Sequence, residues 1–188
     1  MNEHINRLPP DVILWGGTGQ AKVVRPIIES FGSRVAAVID DTPDLAPPFS
    51  DVDLLLGWEG LLKWIKGRDP VRIGFCVTIG NPHGRVRLRL HDRLAAEGLR
   101  PVTLAHRSVQ IAENAVVESG CQLMAGAIVG VEARLGRQCI INTNATVDHE
   151  CMLADGVEVA PGATLCGLVK LGINAWVCAG ATVLPRLE

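Results

Sequence analysis

The chain has no apolar run approaching the roughly 18 residues that cross a bilayer. Its N-terminus, MNEHINRLPPD, lacks the apolar stretch of a secretory signal. Both absences argue against a membrane span and make the cytoplasm the expected compartment. A charge excess is missing too: the formal net charge is −2, which argues against a broad nucleic-acid-binding surface. There is no CxxC pair. The six cysteines, Cys76, Cys121, Cys139, Cys151, Cys166 and Cys178, are dispersed, which argues against zinc-ribbon chemistry. In a cytosolic chain it also argues against disulfides. What is present is apolar residue, nearly half of 188 positions. That suffices for one large or two small domains with a real core.

The second half is periodic. From Ile111 it divides without a gap into twelve hexads, from IAENAV to VCAGAT, and every hexad starts with Ile, Val or Leu. The fifth position is small and apolar throughout: Ala115, Cys121, Ala127, Ala133, Cys139, Ala145, Cys151, then Val or Ala to Ala181. The fifth residue and the first of the next hexad are two apart, so on a strand both face inward. Three cysteines thereby read as packing residues. The fourth position is Gly or Asn in eight of the twelve hexads, the residues that tolerate positive φ in a corner. A strand, a corner and another strand every six residues predict a hexapeptide β-helix.

This pattern resembles the left-handed β-helix acyltransferases of the hexapeptide-repeat superfamily. The resemblance implies a triangular prism with three hexads, about 18 residues, per coil. It also implies a homotrimer with active sites between adjacent prisms. The left hand, an exception to the usual right-handed crossover, comes from the family and not from the spacing.

The first half alternates strand and helix signals. VILW, RVAAVID, VDLLLG and VRIGFCVTIG read as strands, and AKVVRPIIES, WEGLLKWI and RVRLRLHDRLAAEGL as helices. Trp58, Leu61, Leu62 and Ile65 are expected on one face of the second helix. Such alternation predicts a small parallel sheet, Rossmann-like, with a crevice at the strand C-termini. Gly16, Gly17 and Gly19 stand between the first strand and helix, where backbone admits a phosphate to a helix N-terminus. The dinucleotide fingerprint is not met, because Lys22 stands where Gly or Ala is required. Asp40 and Asp41 end the second strand, placed to accept hydrogen bonds from a ribose or base. The loop Gly80-Asn81-Pro82-His83 ends the fourth strand, and Asn81 is a candidate sugar contact. The expected domains are 1–105, binding a nucleotide sugar, and 106–188, the β-helix.

The combination of both halves resembles one family: nucleotide-sugar acetyltransferases related to sialic acid O-acetyltransferases and to UDP-4-amino-sugar N-acetyltransferases. GGTGQAKVV, AVIDD, INTNATVDHECML and VAPGATLCGLVKLG carry the resemblance, which covers nearly the whole chain. It implies acetyl-CoA as co-substrate, a UDP-sugar or related sugar as acceptor, and no metal.

The chemistry centres on VDHECM. Acetyl transfer from a thioester needs a base, a group that stabilises the developing oxyanion, and a means of holding both substrates. A free histidine side chain ionises near neutrality, which suits the residue type to this task, and the hexad position of His149 puts it at an outer edge of the prism. The resemblance makes it the catalytic base. Asp148 and Glu150 compete to orient the imidazole, and the resemblance favours Glu150. Glu150 also replaces the expected Gly or Asn, which predicts positive φ there; Glu132, Gln138 and Leu168 break the same rule. Gly167, 18 residues on, is expected beside His149 one coil later, its N–H aimed at the thioester oxygen. Asn142 is a candidate for orienting the amine or the base.

Two positions depart from the family. Gln20 and Glu158 stand where many relatives have histidine, and the latter position commonly helps to hold the acetyl donor. The hexads are still running at Ala181-Thr182-Val183, which predicts a coil cut short at its C-terminus. Two other readings compete with the acetyltransferase. One is a metal-dependent hydratase of the γ-carbonic-anhydrase type, which needs three histidines where this half has only His106 and His149. The other is a non-catalytic sugar-nucleotide-binding protein of the same fold. N- and O-acetylation remain alternatives, with a 4-amino sugar on UDP favoured.

Overall fold

The computed structural model describes residues 2–188. They form two compact units that are not contiguous in sequence. One comprises residues 2–5, 80–89 and 103–188; the other comprises 6–79 and 90–102. The expected division at 105/106 differs from this one by the segments 2–5, 80–89 and 103–105.

The second unit is built on a parallel sheet. Its strands are β1 (Asp11–Trp15), β2 (Arg34–Asp40), β3 (Leu54–Leu56), β4 (Ile73–Val77) and β5 (Arg100–Pro101), in the order β3-β2-β1-β4-β5. Central β1 and β4 are buried on both faces, which explains their continuous apolar runs. Helix α1 (Gly19–Ser30) packs Ala21, Val24, Ile27 and Ile28 inward, the three-to-four spacing of an amphipathic helix. Helix α2 (Gly57–Ile65) follows β3. Only Leu61 is buried and Leu62 is 40% exposed, while Trp58 stacks 5.4 Å from Trp15 and takes the Arg93 guanidinium on its ring. Helix α3 (Gly84–Ala96) begins in the first unit and ends in the second.

The first unit is a parallel β-helix of two-residue rungs, starting at Leu104–Ala105, one hexad earlier than the repeat reads. Each rung pairs with the one 18 residues on, as Thr146–Val147 does with Thr164–Leu165. Three parallel sheets result. We call the face containing Thr146–Val147 the first, that of Met152–Leu153 the second and that of Glu158–Val159 the third. The inward positions form one continuous core from Ala105 to Val177, with Cys121, Cys139 and Cys151 fully buried in it. Burial raises the thiol pKa of Cys121 and Cys151, consistent with packing rather than reactivity. All six cysteines are free. Every fourth position from Gly120 to Gly180 has positive φ, including Glu132, Gln138, Glu150 and Leu168. The N-terminal opening of the coil is met by residues 2–5: Asn2 bonds Ala115 and Val117 backbone, and Ile5 bridges Thr103. Among the described residues no helix is long and apolar enough to cross a membrane.

Candidate active site

His149 and Glu150 are the two turn residues at the edge between the first and second faces. The inward neighbours Val147 and Cys151 are fully buried, so packing anchors both ends of the turn while its tip projects outward. Glu150 Oε2 lies 3.0 Å from His149 Nδ1. A carboxylate there keeps the proton on Nδ1 and leaves Nε2 as the acceptor. Asp148 does not compete for the ring; its Oδ1 accepts the backbone N–H of His149 at 2.7 Å. The φ of Glu150 is 57°. That positive value does not single Glu150 out, since Glu132, Gln138 and Leu168 share it.

Gly167 lies directly beside the imidazole. A Cβ on Gly167 would stand 2.3 Å from His149 Nε2 and 2.4 Å from Cε1, so any larger residue collides with the ring. The absence of a side chain, and not backbone conformation, is what this position requires. Among the described residues the Gly167 N–H has no backbone acceptor, while its carbonyl accepts from Arg186. A basic nitrogen and a free N–H donor therefore meet at one edge of the coil, the pair that general-base acyl transfer uses.

The remaining candidates are placed elsewhere. Asn142 sits at the preceding edge, between the third and first faces, its Oδ1 accepting the Thr143 N–H at 2.8 Å. The structure does not bring it to His149. Glu158, expected to contact the acetyl donor, is instead 3% exposed on the third face. Asn81 Nδ2 donates to its Oε1 at 2.9 Å, and the Arg87 guanidinium lies 3.6 Å from Oε2. Glu158 is thus occupied internally, and so is the amide of Asn81 that was expected to reach a sugar. Sequence reasoning missed Arg87, which is fully buried and donates to the carbonyls of Gln138 and Gly156. A signal existed: Arg87 is in helical phase with buried Leu90, His91 and Leu94. Burial depresses the Arg87 pKa while the Glu158 charge raises it.

The glycine-rich turn lies in the second unit. Gly16 has φ 115°, and a Cβ there would stand 2.5 Å from the Thr78 carbonyl oxygen. Gly17 donates its N–H to Asp40 Oδ2 at 2.7 Å, and a Cβ built on Gly17 would stand 2.9 Å from Leu45 Cδ2. Asp40 Oδ1 accepts the Thr42 N–H at 2.9 Å. Burial pushes the Asp40 pKa up, but the Gly17 and Thr42 N–H bonds outweigh it, and the net shift is downward. Gly19 and Gln20 form the first turn of α1, and nothing stands within 4 Å of a Cβ built on Gly19. Asp41 reaches the start of α2, near Gly57. Asp40, Thr42, Asp44, Leu45 and Leu54–Leu56 line a small cavity of about 160 Å³. Asp40 here organises the turn with the carboxylate expected to meet a ribose.

Comparison with known proteins shows what a β-helix with a histidine–carboxylate pair and a facing glycine on one edge is similar to. No protein-family model matches the chain. GDP-perosamine N-acetyltransferase of Escherichia coli O157:H7 is 28% identical over 109 residues, 58% of this chain and 48% of that protein. The matched stretch therefore spans about half the length of the curated relative. A histidine-to-asparagine mutant of perosamine N-acetyltransferase from Caulobacter crescentus, solved with CoA and GDP-perosamine, is 29% identical. It superposes with a TM-score of 0.83 over 94% of this chain and 80% of that one. The acetyltransferase domain of PglB from Neisseria gonorrhoeae FA1090 is 25% identical with a TM-score of 0.80, over 94% and 83% respectively. The homologues of this chain are sugar acetyltransferases of the hexapeptide-repeat family, and the parallel sheets together with the perosamine acetyltransferase match fit a left-handed parallel β-helix.

Proposed function

We propose that this protein transfers the acetyl group of acetyl-CoA to the amine of a nucleotide-linked 4-amino sugar. The observation that carries the reading is the edge where the His149 Nε2 faces the side-chain-free Gly167. His149 Nε2 accepts a proton from the amine as its nitrogen attacks the thioester carbon. The Gly167 N–H stabilises the oxygen as charge develops, and Glu150 stabilises the imidazolium across Nδ1. Collapse of the tetrahedral intermediate expels the coenzyme thiolate, which takes the proton from His149. The site needs a second prism: Asn142 stands at a different edge from His149, so in a homotrimer the Asn142 edge of one protomer completes the His149 edge of the next. The sheet of β1–β5 is the Rossmann-like, nucleotide-binding half, with Gly16, Gly17, Gly19, Gln20, Asp40 and Asp41 around its crevice. The functional halves are 1–105 and 106–188, and the reaction takes place in the cytoplasm.

The nucleotide is the open choice. The sequence favours UDP, whereas the perosamine relatives carry GDP. Turnover with acetyl-CoA is therefore to be measured on UDP- and GDP-linked 4-amino sugars and on CMP-sialic acid, the last reporting O-acetylation. His149→Ala is expected to lower kcat/KM by about 10²- to 10⁴-fold with an unchanged circular dichroism spectrum. An unaltered rate in that variant rules out the mechanism. Binding of a sugar nucleotide with no transfer by the unmodified protein establishes the non-catalytic reading instead.

A further inference from the structure

In the second unit, residues 41–53 join β2 to β3, and the two ends of this loop touch different things. Near β2, Thr42, Asp44 and Leu45 line the cavity beside Asp40. Leu45 Cδ2 stands 2.9 Å from where a Cβ on Gly17 would lie, so this end sits over the glycine turn. Near β3, Arg25 of α1 grips the loop. Arg25 Nη1 and Nη2 donate to the two carboxylate oxygens of Asp51 at 2.7 and 2.5 Å. Its Nε donates to Glu29 Oε1 at 2.6 Å, and its guanidinium lies 4.6 Å from the centre of the Phe49 ring. Arg25 follows Gly19, the first residue of α1, by about 9 Å along the helix axis. One helix therefore carries the glycine turn at its start and the anchor of the facing loop less than two turns later.

We infer that Arg25 is a positioning residue for the sugar nucleotide: by holding Asp51 and Phe49 it sets the loop so that Thr42, Asp44 and Leu45 keep their places around the cavity. The inference rests on the reading of this sheet as the nucleotide-binding half. Three observations support it. First, Pro43, Pro47 and Pro48 have no backbone N–H, so side chains carry more of the loop's attachment. Second, Asp44 holds left-handed backbone at φ 57°, a conformation that persists where surrounding contacts fix it. Third, the clamp has the geometry in which a surface ion pair counts: it is bidentate, shared with a second carboxylate and stacked on an aromatic face. The Arg25 bonds accordingly hold the Asp51 carboxyl below its ordinary value. Nε, Nη1 and Nη2 of Arg25 are all engaged within the protein, so its part is to place the loop and not to bind phosphate.

The test separates the two substrates. Arg25→Gln and Asp51→Asn are each expected to raise the KM for the UDP- or GDP-linked 4-amino sugar by about tenfold, the low end for one charge-assisted hydrogen bond. The kcat and the KM for acetyl-CoA should stay unchanged. Because both substitutions act through one contact, the double variant should be no worse than either single one. Arg25→Lys should recover only part of the loss, since an ammonium cannot chelate both Asp51 oxygens. An unchanged KM for the sugar nucleotide in both single variants overturns the inference. So does an equal rise for both substrates, which a merely structural role would give, and so does a double variant whose loss is the product of the two single ones. Calorimetric titration with UDP and with GDP distinguishes this failure from that of the underlying reading. Binding by the unmodified protein that both variants retain in full removes only the role of Arg25, whereas an unmodified protein that binds neither nucleotide removes both.

Discussion

Glu150 and Glu158 stand eight residues apart on the same β-helix, and each faces a base, yet they differ in almost every physical respect. The His149–Glu150 pair is at an edge, with side chains 51% and 48% exposed. The Arg87–Glu158 pair lies on a face, with side chains 0% and 4% exposed. An exposed pair of this kind contributes little to stability. What it leaves open is the lone pair on Nε2, which the proposed mechanism uses. A buried pair has the opposite character: it has no reacting partner, but breaking it strands a charge in low dielectric. One coil thus uses two carboxylates for two purposes, and solvent access decides which.

The comparison breaks most sharply at Arg87. Replacing it by Ala leaves the Glu158 carboxylate buried with only Asn81 as a donor. The expected cost is about 3–5 kcal/mol of folding stability, measured by urea denaturation. Replacing both partners, Arg87→Met with Glu158→Leu, should cost less than the single change, because no unpaired charge remains. If Arg87→Ala unfolds at the same urea concentration as the parent, the pair is not a structural lock and the contrast collapses.

This pair also marks where the sequence stops being legible. The coil is readable because its period reports inward packing at every rung: the Ile, Val and Leu at first positions and the small fifth positions are the core itself. His149 is readable because a periodic background makes a charged corner conspicuous. Arg87 is only half readable: its helical phase with Leu90, His91 and Leu94 signals burial, but arginine on an amphipathic helix reads as a solvated charge, and only the fold brings the carbonyls of Gln138 and Gly156 to it. The same contact reassigns Asn81 and Glu158, whose expected ligands were external and whose actual partners come from residues about 70 to 80 positions away. Leu62 illustrates the same limit: helical phase shows which residues share a face, not how far the neighbouring layer extends over it.

A smaller effect sharpens the exposed side of the comparison. Glu150 and Leu168 both hold left-handed backbone, at φ 57° and 65°. For L-residues that conformation costs roughly 1–2 kcal/mol, partly offset by the greater unfolded-state entropy of glycine. Glu150→Gly and Leu168→Gly are therefore each expected to raise stability by up to about 1 kcal/mol. Only Glu150→Gly should also reduce turnover, because it alone removes the carboxylate on His149 Nδ1. A loss of stability in Glu150→Gly alone would show that the edge pair holds the corner together, contrary to its exposure.

The smallest effect concerns a third carboxylate, Asp40, which has neither a cation nor an imidazole but two backbone N–H groups, those of Gly17 and Thr42. Burial raises its pKa, those bonds outweigh that effect, and the net shift is below the ordinary 3.8. Because the folded-state value is depressed, the charged form is favoured by folding. Its contribution is fully present above the unfolded value and is lost as pH falls through the folded one. Urea melts taken from pH about 5 downward should therefore show an acid limb that is shallower in Asp40→Asn, which cannot titrate. An identical limb in both proteins would mean that the Gly17 and Thr42 bonds are equally available in the unfolded chain. The glycine turn would then be organised by the Gly16–Thr78 contact rather than by this carboxylate.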